Sequence, residues 1–194
     1  MQRLFLSLRV ALRAGLRRAN GVRRRWPLIH HPIALSTALA LLTGCGSAPG
    51  YPPTAPSSLL GRQLPTLERT TLEGRQLKAR AFAGKSVVVK FFAQYCDPCT
   101  RALPITERLH QRYSDVTFVG VSVDPARSSA RQLAAAYGLT FPVIHDGDDR
   151  LKERFDVLAL PVTFVTDRRG IVRWVGGPQH SESHLYQAIE AARQ

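Results

Sequence analysis

Two nearly unbroken apolar runs stand out along the chain, V-V-V-K-F-F over residues 87–92 and V-T-F-V-G-V-S-V over residues 116–123. Short continuous apolar runs are typical of parallel strands that are covered on both faces of a sheet. Between them, residues 101–113 show helical spacing, and we expect Pro104 to kink this helix. Strand, helix and strand in this order predict a right-handed βαβ unit.

The remaining pattern extends this unit into one α/β domain over residues 61–194, a length that suits one compact domain with its own core. Upstream, residues 64–80 predict short strands around a hairpin turn at Glu73 and Gly74. Downstream, the pattern predicts alternating elements: a helix at 128–137 closed by Gly138, a strand at 141–144, a helix at 149–155, strands at 161–166 and 170–175, and a helix at 182–192.

Residues 1–44 have the pattern of a secretory signal peptide. They carry eight arginines and no Asp, Glu or Lys, and an apolar stretch over residues 28–42 is too short to span a bilayer. The following L-T-G-C at residues 42–45 resembles a bacterial lipobox, which implies lipidation of Cys45. A free thiol or an uncleaved anchor is the alternative for Cys45, and the export route stays open between the general and the twin-arginine pathways.

Residues 45–60 are rich in Pro, Gly, Ser and Ala, and they predict a semi-stiff tether between a membrane anchor and the domain. The formal net charge of +13 comes largely from the eight leader arginines, which leaves +5 for residues 45–194. A modest excess of positive charge that is spread over a domain is typical of a solvated surface, so we expect no nucleic-acid partner.

The first apolar run ends in Cys96-Asp97-Pro98-Cys99, at the start of the predicted helix. Two cysteines with this spacing lie close enough to form a disulfide. Cys96 is expected at the exposed helix end, where free N–H groups favour a thiolate nucleophile, and Cys99 is expected beneath it as the resolving thiol. Pro98 suits the first turn of the helix. Proline lacks a backbone N–H group, and the N–H groups of the first turn have no partner within the helix. A purely structural disulfide or half of a zinc site remains the alternative.

The order of elements around this pair resembles the thioredoxin fold and, within it, the TlpA/ResA-like periplasmic disulfide reductases. The matching stretches are F-F-A-Q-Y-C-D-P-C at 91–99, Pro104, Y-G-L-T-F-P-V-I-H-D at 137–146 and L-P-V-T-F-V-T-D-R-R-G at 160–170. The resemblance implies a three-layer α/β/α sandwich with an N-terminal β-hairpin extension. It also implies a cis bond before Pro161, with the backbone of Leu160 and Pro161 presented to the substrate chain.

Two positions differ from the pattern of these families. Tyr95 stands where Trp is frequent, which keeps an aromatic shield before Cys96 but changes its polar group. Lys90 stands where cytosolic thioredoxins have a buried carboxylate. An inward Lys90 would favour a nearby thiolate, whereas Asp97 would oppose one by like-charge repulsion. An exposed or snorkelling Lys90 is the alternative.

The histidines predict no metal site. His180 and His184 are one helical turn apart, a spacing that is more typical of a solvated face than of a metal site, and His145 is expected in a loop. We therefore expect neither a metal nor another cofactor.

The leading hypothesis is a thiol-disulfide oxidoreductase, exported and lipid-anchored on the periplasmic side of a bacterial membrane, that reduces protein disulfides. Its expected partners are disulfide-containing client proteins, with apocytochrome c as one candidate. The resemblance implies an integral membrane protein as the electron donor. A peroxiredoxin-like peroxidase is a second hypothesis. Peroxiredoxins resemble a T-x-x-C motif, but this chain has Ala93 at the Thr position before Cys96 and lacks the hydroxyl. A Sco-like copper-binding module is a third, but its C-x-x-x-C spacing is one residue longer.

Overall fold

A computed structural model describes residues 50–194, which form a mixed five-stranded sheet with four α-helices. The predicted signal peptide, Cys45 and residues 46–49 lie outside the described residues. The strands run in the spatial order β3-β2-β1-β4-β5. They are β1 (Val87–Phe92), β2 (Thr117–Ser122), β3 (Val143–His145), β4 (Val162–Thr166) and β5 (Val172–Gly176). β1, β2 and β3 are parallel neighbours, whereas β4 is antiparallel to both β1 and β5.

The helices follow the predicted order, and their bounds are α1 (Asp97–Arg112), α2 (Arg127–Ala136), α3 (Arg150–Arg154) and α4 (Glu182–Ala192). α1 begins four residues before the predicted start, since Cys96 is its N-cap and Pro98 falls in its first turn. Pro104 lies inside this 16-residue helix, as predicted. Gly138, just after the end of α2, has a φ of 57°, a conformation that glycine adopts without steric cost.

The two faces of the sheet are buried against different layers. Successive side chains of a strand point to opposite faces, so Lys90 and Phe91 of β1 face opposite layers. Phe91 packs on the rings of Phe155, directly after α3, and Phe164 of β4, with ring centroids 5.1 and 6.0 Å away. Lys90 faces the layer that holds α1 and α4. The predicted three-layer α/β arrangement is confirmed.

The predicted semi-stiff tether over residues 45–60 does not extend through residues 50–60, which pack along the outer edge of β5. The Ala55 amide donates to the Val175 carbonyl at 2.6 Å, and the Pro53 carbonyl accepts from the indole Nε1 of Trp174 at 2.9 Å. Pro52 and Ala55 are buried. An edge strand presents unpaired backbone groups, and this segment satisfies one of them, the Val175 carbonyl.

The predicted hairpin at residues 64–80 exists as a turn with isolated bridges instead of regular strands. Gly74 has a φ of 83°, and Thr70 pairs with Gln76 across the turn. Thr71 forms an antiparallel bridge with Ile144, so the turn extends the sheet beside β3. The chain then passes through a short 3-10 helix, Ala79–Ala81, before β1.

A fully buried carboxylate organises the connection between β3 and α3. Asp146 accepts hydrogen bonds from the backbone amides of Leu151 at 2.9 Å and Lys152 at 2.8 Å. The guanidinium of Arg69 lies 3.8 Å from the same carboxylate. Asp146 thus satisfies amides that the short helix α3 leaves unpaired, although it precedes that helix by four residues.

None of the helices between residues 50 and 194 combines the length and the apolar character that crossing a membrane requires.

Candidate redox site

The loop that carries the cysteines is fixed by a residue from the neighbouring strand. β1 ends at Phe92, and the amide of Gln94 then donates to Oδ1 of Asp124 at 2.9 Å. Asp124 is buried just after β2, where Oδ2 accepts from the Ser122 hydroxyl at 2.8 Å. Because β1 and β2 are parallel, their carboxyl ends meet at one edge of the sheet, and Asp124 holds the loop there.

Cys96 and Cys99 form a disulfide, with their Cα atoms 5.2 Å apart. Cys96 is the N-cap of α1, and its Sγ accepts a hydrogen bond from the amide of Cys99 at 3.2 Å. Both this donor and the N-terminal end of a 16-residue helix favour negative charge on the Cys96 sulfur when the pair is reduced. The geometry therefore supports Cys96 as the thiolate of the pair.

The two cysteines differ in burial. Cys96 is 8% exposed in the disulfide form, and Cys99 is 0% exposed. As predicted, Cys96 is more accessible than Cys99. Cys96 is nevertheless less exposed than we expected for a residue at an open helix end. An external disulfide can reach Cys96 more easily than Cys99, which fits an attacking and a resolving role.

Lys90 is buried, so the alternative of an exposed or snorkelling side chain is wrong. The residue is 4% exposed, and its Nζ donates to Oγ1 of Thr163 at 3.0 Å. Thr163 is the direct neighbour of Lys90 across the antiparallel pair of β1 and β4. Burial lowers the pKa of Lys90 to about 8, because a low-dielectric environment disfavours the ammonium form.

The residues around the first cysteine are more exposed than the cysteines themselves. Tyr95 is 67% exposed, so much of its side chain is open to solvent directly before Cys96. Asp97 is exposed at the first position of α1, and Pro98 is half-buried behind it.

The loop before β4 has the conformation that the resemblance implied. The Leu160–Pro161 bond is cis, Pro161 is buried and Leu160 is half-buried. Two residues earlier, Leu158 is 92% exposed. Pro161 and Pro98, which lies between the two cysteines, line the same cavity of about 200 Å³. The structure therefore brings the loop and the redox pair to one place.

The histidine interpretation needs one correction. His180 is half-buried, not part of a solvated face: its Nδ1 accepts from the Gly177 amide at 2.9 Å, and its Nε2 contacts the Pro53 carbonyl at 3.1 Å. His184 caps α4, where its Nδ1 accepts from the amide of Ser181 at 3.1 Å. His145 ends β3, with Nε2 2.8 Å from the carbonyl of Asp124. Within residues 50–194, no group of three or more His, Cys, Asp or Glu residues could hold a metal ion.

Sequence reasoning missed Asp124 and Thr163, which support the site from strands that neighbour β1. Asp124 follows the second apolar run directly, and two parallel strands end at the same sheet edge. That signal could have placed Asp124 beside the cysteine loop. Thr163 depends on the register between β1 and β4, which the local pattern of either strand does not contain.

A sequence profile of the AhpC/TSA family matches residues 60–175, more than half of the chain. The chain belongs to the AhpC/TSA family. Its matched region covers the hairpin turn, the redox pair, the Leu160–Pro161 loop and the strands β1 to β4 together with most of β5.

Curated relatives of this AhpC/TSA chain include thiol-disulfide oxidoreductases. The protein named ResA in Geobacillus thermodenitrificans is 28% identical over 136 residues, which are 69% of this chain and 78% of ResA. The thioredoxin-like protein YneN of Bacillus subtilis is 31% identical over 134 residues, which are 67% of this chain and 78% of YneN. Together with the disulfide at Cys96 and Cys99, this similarity identifies the chain as a thiol-disulfide oxidoreductase of the ResA type.

Solved structures show the same fold. The crystal structure of a putative thiol:disulfide interchange protein DsbE from Chlorobium tepidum superposes with a TM-score of 0.64, at 24% identity, over 69% of this chain and 96% of that protein. A secreted Mycobacterium tuberculosis disulfide oxidoreductase, described as homologous to E. coli DsbE, gives 0.59 at 24% identity, over 63% of this chain and 92% of that protein. The thioredoxin-like fold of this AhpC/TSA chain is thereby confirmed.

Proposed function

We propose that the protein is an exported, membrane-tethered reductase of protein disulfides, in which Cys96 attacks and Cys99 resolves. The observation that carries the assignment of roles is the amide of Cys99 pointing at the Cys96 sulfur, together with the complete burial of Cys99. A donated hydrogen bond stabilises the thiolate, and the thiolate is the nucleophile in disulfide exchange.

The reaction follows from these positions in two exchanges. The Cys96 thiolate attacks one sulfur of the client disulfide, which forms a mixed disulfide and releases the other client sulfur as a thiolate. The Cys99 thiolate then attacks the Cys96 sulfur, which closes the intramolecular disulfide and releases the second client thiolate. The client gains two electrons and the Cys96–Cys99 pair loses two, so each turnover requires a new pair of electrons from a donor.

The proposed location explains why a donor is needed. The basic leader, its short apolar stretch and the lipobox-like residues 42–45 support export and anchoring at a bacterial membrane. A compartment that oxidises thiols keeps a dithiol closed unless electrons are supplied. We infer a membrane protein as the electron donor and disulfide-containing proteins as clients, among which apocytochrome c is a candidate.

Side-by-side assays of the purified domain test this function. We expect catalysed reduction of the insulin disulfides in the presence of a chemical electron donor, and no activity in a variant that lacks both Cys96 and Cys99. Peroxide consumption and copper binding are measured on the same preparation. Fast peroxide turnover without insulin reduction would favour the peroxidase hypothesis, and stoichiometric copper binding would favour the Sco-like one.

Membrane tethering is tested at Cys45. We expect wild-type protein in the membrane fraction with a lipid on Cys45, and we expect Cys45→Ser to be released in soluble form or to stay unprocessed. Mass spectrometry of the N-terminal peptide and cell fractionation measure both outcomes. A soluble wild-type protein whose mature N-terminus lies elsewhere would contradict the anchor and leave the redox function unaffected.

A further inference from the structure

The cavity beside the redox pair has a buried floor and a polar rim. Its floor includes Lys90 and Thr163 from the sheet and the indole of Trp174, all buried. Its rim includes the exposed residues Arg101 and Glu182, from the beginnings of α1 and α4. With about 200 Å³, it offers far more room than a single water needs. It is therefore large enough to receive a side chain from another molecule.

Lys90 has unused hydrogen-bonding capacity at this floor. An ammonium group carries three N–H donors, and within residues 50–194 the only hydrogen-bond partner of Nζ is Oγ1 of Thr163. A threonine hydroxyl is neutral and does not balance the charge. A buried cation without a counter-ion is unfavourable, and a carboxylate brought to it would supply both the charge and the missing acceptors.

The other charged and titratable groups of the cavity do not supply that carboxylate. Glu182 of α4 is held by the guanidinium of Arg108, with distances of 3.0 and 3.2 Å to its two oxygens. Arg101 of α1 adds a second positive charge at the rim. His180 already has Gly177 and Pro53 as partners on its two ring nitrogens. The cavity thus carries a net positive charge.

We propose that this cavity binds a carboxylate of the client protein, an Asp or Glu side chain close to the client disulfide, through Lys90. This inference rests on the proposed reduction of protein disulfides. Pro98 and Pro161 border the same cavity, so a client segment whose disulfide meets Cys96 can place a nearby side chain over it. The site would make the enzyme selective for disulfides with an acidic neighbour, and the contact would be a charge-assisted hydrogen bond.

The titration of Lys90 gives the proposed contact a pH signature. Since burial lowers its pKa to about 8, the side chain is mainly an ammonium at pH 7 and mainly a neutral amine at pH 9.5. The other charged groups of the cavity, Arg101 and Glu182, lie at its rim, and Glu182 is already paired with Arg108. Attraction by Lys90 should therefore be present below pH 8 and lost as the pH rises through this value.

The test uses synthetic peptides with one disulfide, in pairs that differ only by Glu or Gln at one of the three residues on either side of the attacked cysteine. At pH 7 we expect wild-type protein to reduce the Glu peptide of at least one pair with kcat/KM about fivefold above its Gln partner. The ratio should approach one at pH 9.5 and in Lys90→Met. Lys85→Met, which removes an exposed lysine outside the cavity, should keep the wild-type ratio.

Each outcome of this test distinguishes the carboxylate site at Lys90 from the reductase function on which it rests. Equal reduction of Glu and Gln peptides at every position would overturn the carboxylate site and leave the reductase function standing, whereas reduction of no peptide would contradict the reductase function itself. A preference that persists in Lys90→Met would show that Lys90 is not the cation. If Lys90→Met does not fold, the pH dependence of the wild-type ratio decides, because the peptide Glu is ionised at both pH 7 and pH 9.5 and its direct effect on the disulfide is the same at both values.

Discussion

Cys99→Ser should convert the protein into a covalent trap for its clients. Cys96 keeps its position at the N-terminus of α1 and can still attack a client disulfide, but no buried thiol remains to release the mixed disulfide. We expect disulfide reduction to fall at least about a hundredfold and adducts of higher mass to accumulate. Non-reducing gels of cell extracts, followed by mass spectrometry of the adducts, measure this result.

Cys96→Ser is the matched control, because it removes the attacking sulfur and keeps a buried thiol that clients cannot reach. Cys96→Ser should reduce client disulfides as poorly as Cys99→Ser, but it should form few adducts. Both variants are compared in a Cys45→Ser background, so that the third cysteine cannot form adducts of its own. Equal trapping by the two variants would show that the attacking and resolving roles are assigned wrongly.

Asp146→Ala should give a large loss of stability, about 3 kcal/mol in the free energy of unfolding. The carboxylate is fully buried and accepts hydrogen bonds from the amides of Leu151 and Lys152, and alanine would leave both donors without an acceptor. Arg69 would also lose one of its two acidic neighbours. Urea unfolding followed by circular dichroism measures the change.

Asp148→Ala is the control for this loss, since Asp148 is exposed and pairs with Arg69 and Arg150 at the surface, whereas Asp146 is fully buried. Exposed ion pairs contribute little, so we expect a change within about 0.5 kcal/mol. A similar loss in both variants would mean that charge near Arg69, and not the capping of α3, accounts for the effect of Asp146.

The sheet and the redox pair could be predicted because their signals are local. The apolar runs that became β1 and β2 need burial on both faces, and the spacing of Cys96 and Cys99 places two sulfurs within one helical turn. α4 was predicted with the bounds that the structure has. The cis bond before Pro161 came from the resemblance, since no local rule distinguishes it from an ordinary trans proline.

The features that could not be predicted depend on contacts between residues far apart in sequence. Nothing in the composition of residues 50–60 indicates that the indole of Trp174 requires an acceptor or that β5 has an open edge. The direction of Lys90 could not be predicted either, because a strand buried on both faces has no polar face to set the alternation. Its partner Thr163 lies 73 residues later and is set by strand register.

The segment along β5 also determines where a soluble form of this protein can begin. A chain cut at Gly61 would keep Arg62 paired with Val172 but would uncover the Val175 carbonyl and the indole N–H of Trp174. Half of an edge strand would then be open to pairing with a second molecule. A recombinant domain should start before Tyr51, so that Pro53 and Ala55 still cover this half of β5.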